Sequence, residues 1–301
     1  MNTFYLRLFS DKNVNLLGSE IDIILQKGYN GHVMTATAAI IKDIFSGDTY
    51  DTPEDTPRYR GDRLFFNSRW GFYLRFARVV LNSSRLAVKG KYDDQQWIKS
   101  SFRVFKHIEG CGGRFHIDGL DNLRKTGEPL VIVSNHMSSL ETVIFPCIIA
   151  PFRPITFVVK DSLVKGPVFG PVIRSRNPIV VGRVNPREDF RLVTTGGKET
   201  LARGLSLIIF PQSTRSTRFI PGKFNSLGIK LAKNAGVKIL PMAIKTDFWG
   251  ESKRIKGFGP LNREKPIYMT FGEAMTINGN GKEEHRQIIE FITSHLEKWK
   301  D

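Results

Sequence analysis

The chain has 301 residues, of which 41% are hydrophobic and 25% are charged, and its formal net charge is +16. A chain of this size and composition can bury a substantial core, which fits one α/β domain with extra N-terminal elements. Its two cysteines, Cys111 and Cys147, form neither a disulfide framework nor a metal-binding spacing, and its six histidines are scattered. We therefore expect free thiols in a reducing compartment, no metal site and no cofactor.

The positive charge predicts an anionic partner. Nucleic acid, an anionic bilayer surface and a phosphorylated acceptor all satisfy this charge, which alone does not choose among them. The sequence has no RNA-binding aromatic motif and no helix-turn-helix pattern, so we expect no nucleic-acid partner.

The sequence predicts no membrane span. The N-terminus lacks the basic-then-apolar order of a signal peptide. The most apolar window, residues 142–159, is interrupted by three prolines and an arginine: Pro146, Pro151, Arg153 and Pro154. A spanning helix needs about 20 mostly apolar residues without such breaks. Any membrane contact is therefore expected to be peripheral.

In chain order, residues 1–66 are predicted to form an N-terminal helical segment and an acidic loop. Helical pieces are predicted at 20–26 and 35–45, while the stretch 46–62 is rich in Pro, Asp and Thr, as is typical of a loop. That loop marks the one plausible domain boundary. The region that follows, residues 67–112, is predicted to be helical and amphipathic.

The helix predicted at 68–86 has two interpretations. Its apolar positions recur at helical spacing and its other side is basic: Phe72, Phe76, Val79 and Val80 against Arg75, Arg78 and Arg85. In one interpretation its aromatic side chains enter the lipid interface while the arginines meet lipid phosphates. These side chains are Trp70, Phe72, Tyr73 and Phe76. In the other, the apolar face packs on the sheet and the arginines face water.

Residues 113–301 are predicted to form an α/β domain, because short apolar runs alternate there with helical patterns. The predicted strands are 114–117, 130–134, 155–159, 179–181, 205–210, 239–244 and 267–271, and helices are predicted at 223–235 and 283–298. Such alternation indicates a largely parallel or mixed sheet.

Polar residues follow two of these apolar runs. The run that ends at residue 134 leads into Asn135 and His136, and Glu141 follows five residues after the histidine. The run that ends at Phe210 leads into the residues 211–216. Open α/β sheets place their sites at the carboxyl ends of strands, so both segments are candidates for the site.

His136 and Glu141 would converge if the histidine lay in a strand-to-helix turn and the acid in the first helical turn. Their spacing amounts to about 140° on an ideal helix, so one regular helix would not bring them together. Ser138 and Glu141 match a capping-box pattern, which favours the turn. Such a histidine is suited to general-base catalysis, with the acid fixing its tautomer. Alone, however, a histidine at a strand end is more often structural, and Glu141 could be only a cap.

Four segments in order resemble blocks of the glycerolipid O-acyltransferase family, specifically its 1-acylglycerol-3-phosphate acyltransferase (PlsC-type) members. The first is Asn135-His136 with Glu141, where the family has Asp; the second is 157–183; the third is 210–216; the fourth is 240–242. In the third block the family has Phe-Pro-Glu-Gly-Thr-Arg. Together these segments cover roughly residues 114–275, which makes 113–301 the expected acyltransferase domain.

The resemblance implies a glycerol-3-phosphate acyltransferase-like fold, with a mixed, mostly parallel sheet flanked by helices. It implies that His136 is the catalytic base and Glu141 its orienting partner. It also implies that basic residues of the second and third blocks bind the acceptor phosphate. The substrate-binding residues carried over by position are Lys160, Arg183, Gln212, Ser213, Thr214 and Arg215.

The activity implied is transfer of a fatty acyl group from acyl-CoA or acyl-carrier protein to the hydroxyl of a lysophospholipid. The default acceptor is 1-acyl-sn-glycerol-3-phosphate, in phospholipid biosynthesis. A cytoplasmic enzyme on the anionic inner face of the cell membrane is expected. Two alternatives stay open: a different lysolipid or amino-lipid acceptor, or a catalytically inactive lipid-binding protein on the same fold.

Three residues depart from the family pattern, and all lie at the expected site. Glu141 adds one methylene to the family's Asp, Gln212 replaces a carboxylate with an amide, and Ser213 replaces a glycine that reaches positive φ easily. Without the carboxylate at Gln212, we expect a site at least as positive as the family's usual one. There is no Gly-x-Ser-x-Gly elbow, so direct transfer from a thioester is the expected mechanism.

Overall fold

The structure, a computed structural model, describes residues 36–60, 62, 68–212, 214–252 and 257–300. The helix predicted at 20–26 and the predicted site residue Ser213 lie outside the described residues. In the described part of the chain, no helix is both long enough and apolar enough to cross a bilayer.

Helices and strands alternate through most of the described chain. The α-helices are α1 (Ala36–Ile44), α2 (Arg69–Val88), α3 (Asp94–Gly110), α4 (Leu140–Ile149), α5 (Asp161–Lys165), α6 (Phe169–Arg174), α7 (Pro186–Ala202), α8 (Leu227–Ala235) and α9 (Lys282–Lys298). The strands are β1 (Tyr50–Asp51), β2 (Phe115–Asp118), β3 (Val131–Ser134), β4 (Ile155–Lys160), β5 (Ile179–Val181), β6 (Ser206–Ile209), β7 (Ile239–Lys245) and β8 (Ile267–Phe271). Short 3₁₀ turns lie at Leu120–Leu123 and Pro221–Lys223.

The strands form one sheet in the order β1-β2-β8-β7-β3-β6-β4-β5. From β7 to β5 all neighbours are parallel, whereas β7 and β8 are antiparallel. The predicted mixed, mostly parallel sheet is confirmed. Because β7, β3, β6, β4 and β5 run the same way, their carboxyl ends meet at one edge of the sheet.

The central strands are buried on both faces, which explains their nearly continuous apolar sequences. All four residues of β3 and all four of β6 are buried. Successive side chains point to opposite faces, so Ile132 and Ile208 join one core cluster, while Val131, Val133 and Leu207 join the other. Helices α1 to α4 contribute to the first cluster, and α7 to α9 contribute to the second.

Helix α2 packs its aromatic face into the core. Phe72 and Phe76 make edge contacts with the ring of the buried Trp249, at centroid distances of 4.9 and 5.1 Å. Tyr73 donates a hydrogen bond to the backbone oxygen of Gly259, at 2.8 Å. The expectation that Phe72, Tyr73 and Phe76 enter lipid is therefore wrong, because the sheet side of the molecule already buries them.

Other apolar residues of α2 face outward. Trp70, Leu74, Leu81 and Val88 are exposed to 62%, 63%, 44% and 72%. Their spacings of four, seven and seven residues place them within about 40° of one another round the helix. The helix therefore carries two apolar stripes, one in the core and one on the surface.

Truncating a residue of the buried stripe should destabilise the protein strongly, whereas truncating a residue of the surface stripe should have little effect. Phe72→Ala should lower the free energy of unfolding by about 3–5 kcal/mol, since it removes a fully buried ring and leaves a cavity. Trp70→Ala should change it by no more than about 0.5 kcal/mol. Urea unfolding of both variants is the measurement, and similar losses for the two would contradict the assignment of the faces.

Candidate active site

The end of β3 is fastened to β7 by an asparagine side chain. Asn135 donates from Nδ2 to the backbone oxygen of Ile244 at 2.8 Å and accepts from the Ile244 N–H at 2.9 Å. The side chain thus continues the pairing of the two strands by one more residue. His136 follows immediately, in the turn that leads to α4.

His136 and Glu141 meet across this turn. The His136 Nδ1 atom lies 2.8 Å from Oε1 of Glu141. The geometry is the one their five-residue spacing requires, with the histidine in the turn and the acid in the first turn of α4. Because Nδ1 faces the carboxylate, Nε2 is the nitrogen that points away from it.

Glu141 is fully buried and accepts hydrogen bonds from five groups. Its Oε1 accepts from the backbone N–H groups of Met137 and Ser138, at 2.7 and 2.9 Å, in addition to the imidazole. Its Oε2 accepts from the hydroxyls of Ser138 and Thr246, at 2.9 and 2.8 Å. The capping-box pattern is therefore half realised: the glutamate reaches back to the Ser138 N–H, while the serine hydroxyl serves the carboxylate and the Leu140 N–H.

These contacts keep the carboxylate charged. Burial by itself opposes ionisation, but the hydrogen bond and the charge of His136, together with backbone N–H groups, hold the pKa of Glu141 below its ordinary value. An ionised Glu141 fixes the Nδ1–H tautomer of His136 and stabilises the imidazolium.

Residues of the third block, 210–216, contact the His136 turn on the side opposite β7. The Phe210 ring stacks on the imidazole, with centroids 4.1 Å apart and planes at 19°. The His136 N–H donates to Oε1 of Gln212 at 2.8 Å, and the His136 carbonyl accepts from the Ser216 N–H at 2.9 Å. The side chain of His136 remains 14% exposed, so the imidazole is not sealed from solvent.

The predicted phosphate ligands are spread along the same edge of the sheet. Arg215 lies beside the His136 turn, because its Nη1 donates to the hydroxyl of Ser139. Lys160 is exposed at the end of β4, two strands from β3, and Arg183 follows β5, a further strand away. At about 4.8 Å per strand, Arg183 is on the order of 15 Å along the edge from the histidine. Thr214 is exposed in the same loop as Arg215.

Arg183 sits in a turn that an acid stabilises. Its φ is 55°, a left-handed conformation uncommon for a side chain other than glycine. Asp189, in the first turn of α7, accepts from the N–H groups of Gly182 and Arg183 at 3.0 and 2.9 Å. The turn and the arginine are therefore set by the start of α7.

Known proteins resemble this chain in sequence and fold. The family model described as Acyltransferase matches residues 114–245. A 1-acyl-sn-glycerol-3-phosphate acyltransferase of Pseudomonas aeruginosa is 30% identical over 231 residues, which are 76% of this chain and 82% of that protein. The chain belongs to the PlsC-type acyltransferase family. The resemblance seen in the motifs is thereby confirmed, and the protein is an O-acyltransferase.

Two further relatives agree with this assignment. The chloroplastic 1-acyl-sn-glycerol-3-phosphate acyltransferase LPAT1 of Arabidopsis thaliana is 28% identical over 131 residues, 44% of this chain and 36% of that protein. The crystal structure of the 1-acyl-sn-glycerophosphate acyltransferase PlsC from Thermotoga maritima aligns with a TM-score of 0.55 at 18% identity, covering 89% of this chain and all of that one. The latter confirms the fold.

Sequence reasoning missed three contacts of the acyltransferase site. Thr246 directly follows the buried strand β7, which is the same signal that indicated His136, so it could have been found. The stacking of Phe210 on His136 depends on β6 lying next to β3, and sequence does not give that order. Glu251 pairs with Arg215, Oε1 to Nε at 3.1 Å, although 36 residues separate them and no motif contains it.

The contact that Gln212 makes could not be inferred from its lack of charge. Its amide oxygen supports the backbone of His136, while the carboxylate near Arg215 comes from Glu251. The prediction of a site at least as positive as the family's usual one considered only the residue at 212. It stays a prediction, and Arg215 has an acidic partner in Glu251.

The buried carboxylate predicts a pH-dependent stability. Since the folded pKa of Glu141 is lowered, its contribution is present above the unfolded value of about 4.3 and is lost as the pH falls through the folded pKa. Glu141→Gln should lower the free energy of unfolding by about 1–3 kcal/mol at neutral pH. Thermal unfolding of both proteins should show this gap shrinking below about pH 4. A gap that stays constant across the range would contradict an ionised Glu141.

Proposed function

We propose that this acyltransferase transfers a fatty acyl group from a thioester to the free hydroxyl of 1-acyl-sn-glycerol-3-phosphate, with His136 as general base. The main support is the 2.8 Å contact between His136 and the buried Glu141, which leaves Nε2 directed away from the carboxylate. The names of the Pseudomonas and Arabidopsis relatives support the choice of acceptor.

The proposed reaction needs no covalent enzyme intermediate. Nε2 of His136 takes the proton of the acceptor hydroxyl while the hydroxyl oxygen attacks the thioester carbonyl carbon. The tetrahedral intermediate then expels the thiolate, which receives that proton from the imidazolium. Glu141 stabilises the imidazolium between these steps. The products are the diacylated phospholipid and the free thiol of the donor.

The donor is proposed to be acyl-CoA or acyl-carrier protein. Both present the same thioester carbon to the acceptor hydroxyl, so the site chemistry is shared. A comparison of the two donors at equal acyl chain length would distinguish them by kcat/KM.

The acceptor phosphate is proposed to bind Arg215, with Lys160 and Arg183 lending charge farther along the edge. Arginine offers two parallel N–H donors to phosphate, and lysine supplies a point charge. Arg215 is the nearest of the three to the histidine turn, through its contact with Ser139. The third-block residues Gln212, Ser213 and Thr214 are proposed to shape the same pocket.

The surface stripe of α2 is proposed to lie on the anionic inner face of the cell membrane. Trp70, Leu74, Leu81 and Val88 form an apolar line, and the exposed Arg78 and Arg85 flank it on one side. A tryptophan at the end of such a line and arginines beside it suit the boundary between acyl chains and phosphates. Arg75 lies instead over the Tyr59 ring, at 4.3 Å from its centroid.

Removing the base tests the proposed chemistry. His136→Ala should lower kcat by about 10²–10⁴-fold, the contribution of a general base, and Glu141→Gln should lower it less. Free-thiol release from acyl-CoA with 1-acyl-sn-glycerol-3-phosphate is the measurement. His116→Ala, on β2 and three strands from β3, is the matched control and should keep the wild-type rate.

Three results would redirect the proposal. Near-normal turnover by folded His136→Ala would remove the histidine from the mechanism. A wild-type preference for a zwitterionic lysolipid or an amino-lipid in a competition assay would replace the acceptor. No turnover with any acceptor, accompanied by lipid binding, would favour the inactive lipid-binding protein.

Charge removal tests the membrane surface. Arg78→Gln with Arg85→Gln should weaken binding to vesicles containing anionic lipid by about ten- to thirtyfold, with little change for neutral vesicles. The matched control is Lys198→Gln with Lys233→Gln, exposed positions on α7 and α8 at the other face of the sheet. Vesicle sedimentation at low and high salt is the measurement. Equal weakening by both pairs would show a net-charge effect and would contradict docking through α2.

A further inference from the structure

The guanidinium of Arg215 has an acidic partner from a distant part of the chain. Nε of Arg215 lies 3.1 Å from Oε1 of Glu251, and Nη1 donates to the hydroxyl of Ser139. The side chains of Arg215 and Glu251 are 26% and 36% exposed. The pair therefore stands at the surface of the site, and Ser139, which Arg215 contacts, is three residues along the chain from His136.

Glu251 is held in this place by the backbone. Its Oε2 accepts from the N–H of Gly257 at 3.1 Å, and the carbonyl of Gly257 accepts from Nε1 of the buried Trp249 at 2.9 Å. Gly257 has a φ of 84°, and a Cβ on it would lie 2.9 Å from the Ser139 hydroxyl and 3.7 Å from Nη1 of Arg215. The close approach requires a glycine, so the contact between Glu251 and Arg215 is part of a packed arrangement.

We propose that Glu251 is a specificity-determining residue: its carboxylate occupies Arg215 and is exchanged for the acceptor phosphate when the acceptor binds. This inference rests on the proposed function, in which Arg215 is the phosphate ligand. The carboxylate and the phosphate compete for the same donors. A headgroup therefore binds at Arg215 only if its negative charge interacts with the guanidinium more strongly than the Glu251 carboxylate does.

The strengths of the two interactions favour the exchange. A single-contact ion pair between partly exposed side chains is weak, because water screens it and both side chains lose freedom in making it. A phosphate monoester carries up to two charges and can accept two parallel N–H bonds from one guanidinium. The phosphate can therefore displace Glu251, and the cost of doing so appears as a modest increase in KM.

The isosteric substitution Glu251→Gln tests this exchange. It removes the competing charge and keeps the shape, so KM for 1-acyl-sn-glycerol-3-phosphate should fall by about two- to fivefold, the range that exposed ion pairs span. The change in kcat should be smaller than the change in KM. An unchanged or raised KM would overturn the proposal, since a raised KM would mean that Glu251 positions Arg215 for binding.

A double-mutant cycle separates the effect of the Arg215–Glu251 pair from the long-range electrostatic effect of removing one negative charge. In an Arg215→Ala background, Glu251→Gln should no longer lower KM, because the group for which the carboxylate competes is gone. The same fall in both backgrounds would overturn the proposal in favour of long-range repulsion. The matched control is Glu273→Gln, an exposed acid after the antiparallel strand β8, at the opposite edge of the sheet. It should leave KM at the wild-type value.

Binding of the headgroup gives a readout that does not need turnover. Calorimetry with sn-glycerol 3-phosphate, which lacks the acyl chain, should show the dissociation constant falling two- to fivefold in Glu251→Gln. A constant equal to that of the wild type, or no binding to either protein, would overturn the exchange. Failure of the proposed function is a separate result, because it would appear as wild-type protein that does not acylate this acceptor.

Discussion

A charged carboxylate buried beneath the histidine is the constraint on which this site depends. A fully buried Glu141 is tolerable only if its lone pairs are satisfied, since an unpaired charge in the interior is strongly unfavourable. Five donors meet that requirement, and they come from the His136 turn and from Thr246 after β7. The same network therefore fixes the conformation of the turn, the tautomer of His136 and the orientation of its ring. The extra methylene of Glu141 is accommodated within the same network, so a shorter acid would have to move α4 toward the turn to reach all of these groups.

The order of the strands brings the remaining parts of the site to this carboxylate. Because β3 lies between β7 and β6, its carboxyl end is flanked by Thr246 on one side and by the loop after Phe210 on the other. Asn135 joins the first flank by bonding the backbone of β7, and Gln212 joins the second by accepting the His136 N–H. Residues that are 76 to 109 positions apart in sequence therefore act on a single turn. The substitution of Gln for the family's Glu at 212 is compatible with this arrangement, because an amide oxygen accepts the same hydrogen bond.

Much of this fold is visible in the sequence. Apolar runs located the strands of the α/β domain to within one or two residues, because central strands buried on both faces have nearly continuous apolar sequences. The polar residues after two of these runs indicated the candidate site. Periodicity was less informative for α2. It shows which residues share a side of a helix, but only packing against Trp249 decides that Phe72 lies inside while Trp70 lies outside. Glu251 had no local signal at all, since its contact with Arg215 depends on a loop path that sequence patterns do not encode.

One packed unit joins helix α2 to Arg215. Tyr73 of α2 bonds the backbone at Gly259, Trp249 lies against the aromatic face of α2, and its indole bonds the backbone at Gly257. Gly257 in turn bonds Glu251, which contacts Arg215. If α2 lies on lipid and Arg215 binds the headgroup, as proposed, this packing fixes the height of the headgroup site above the bilayer.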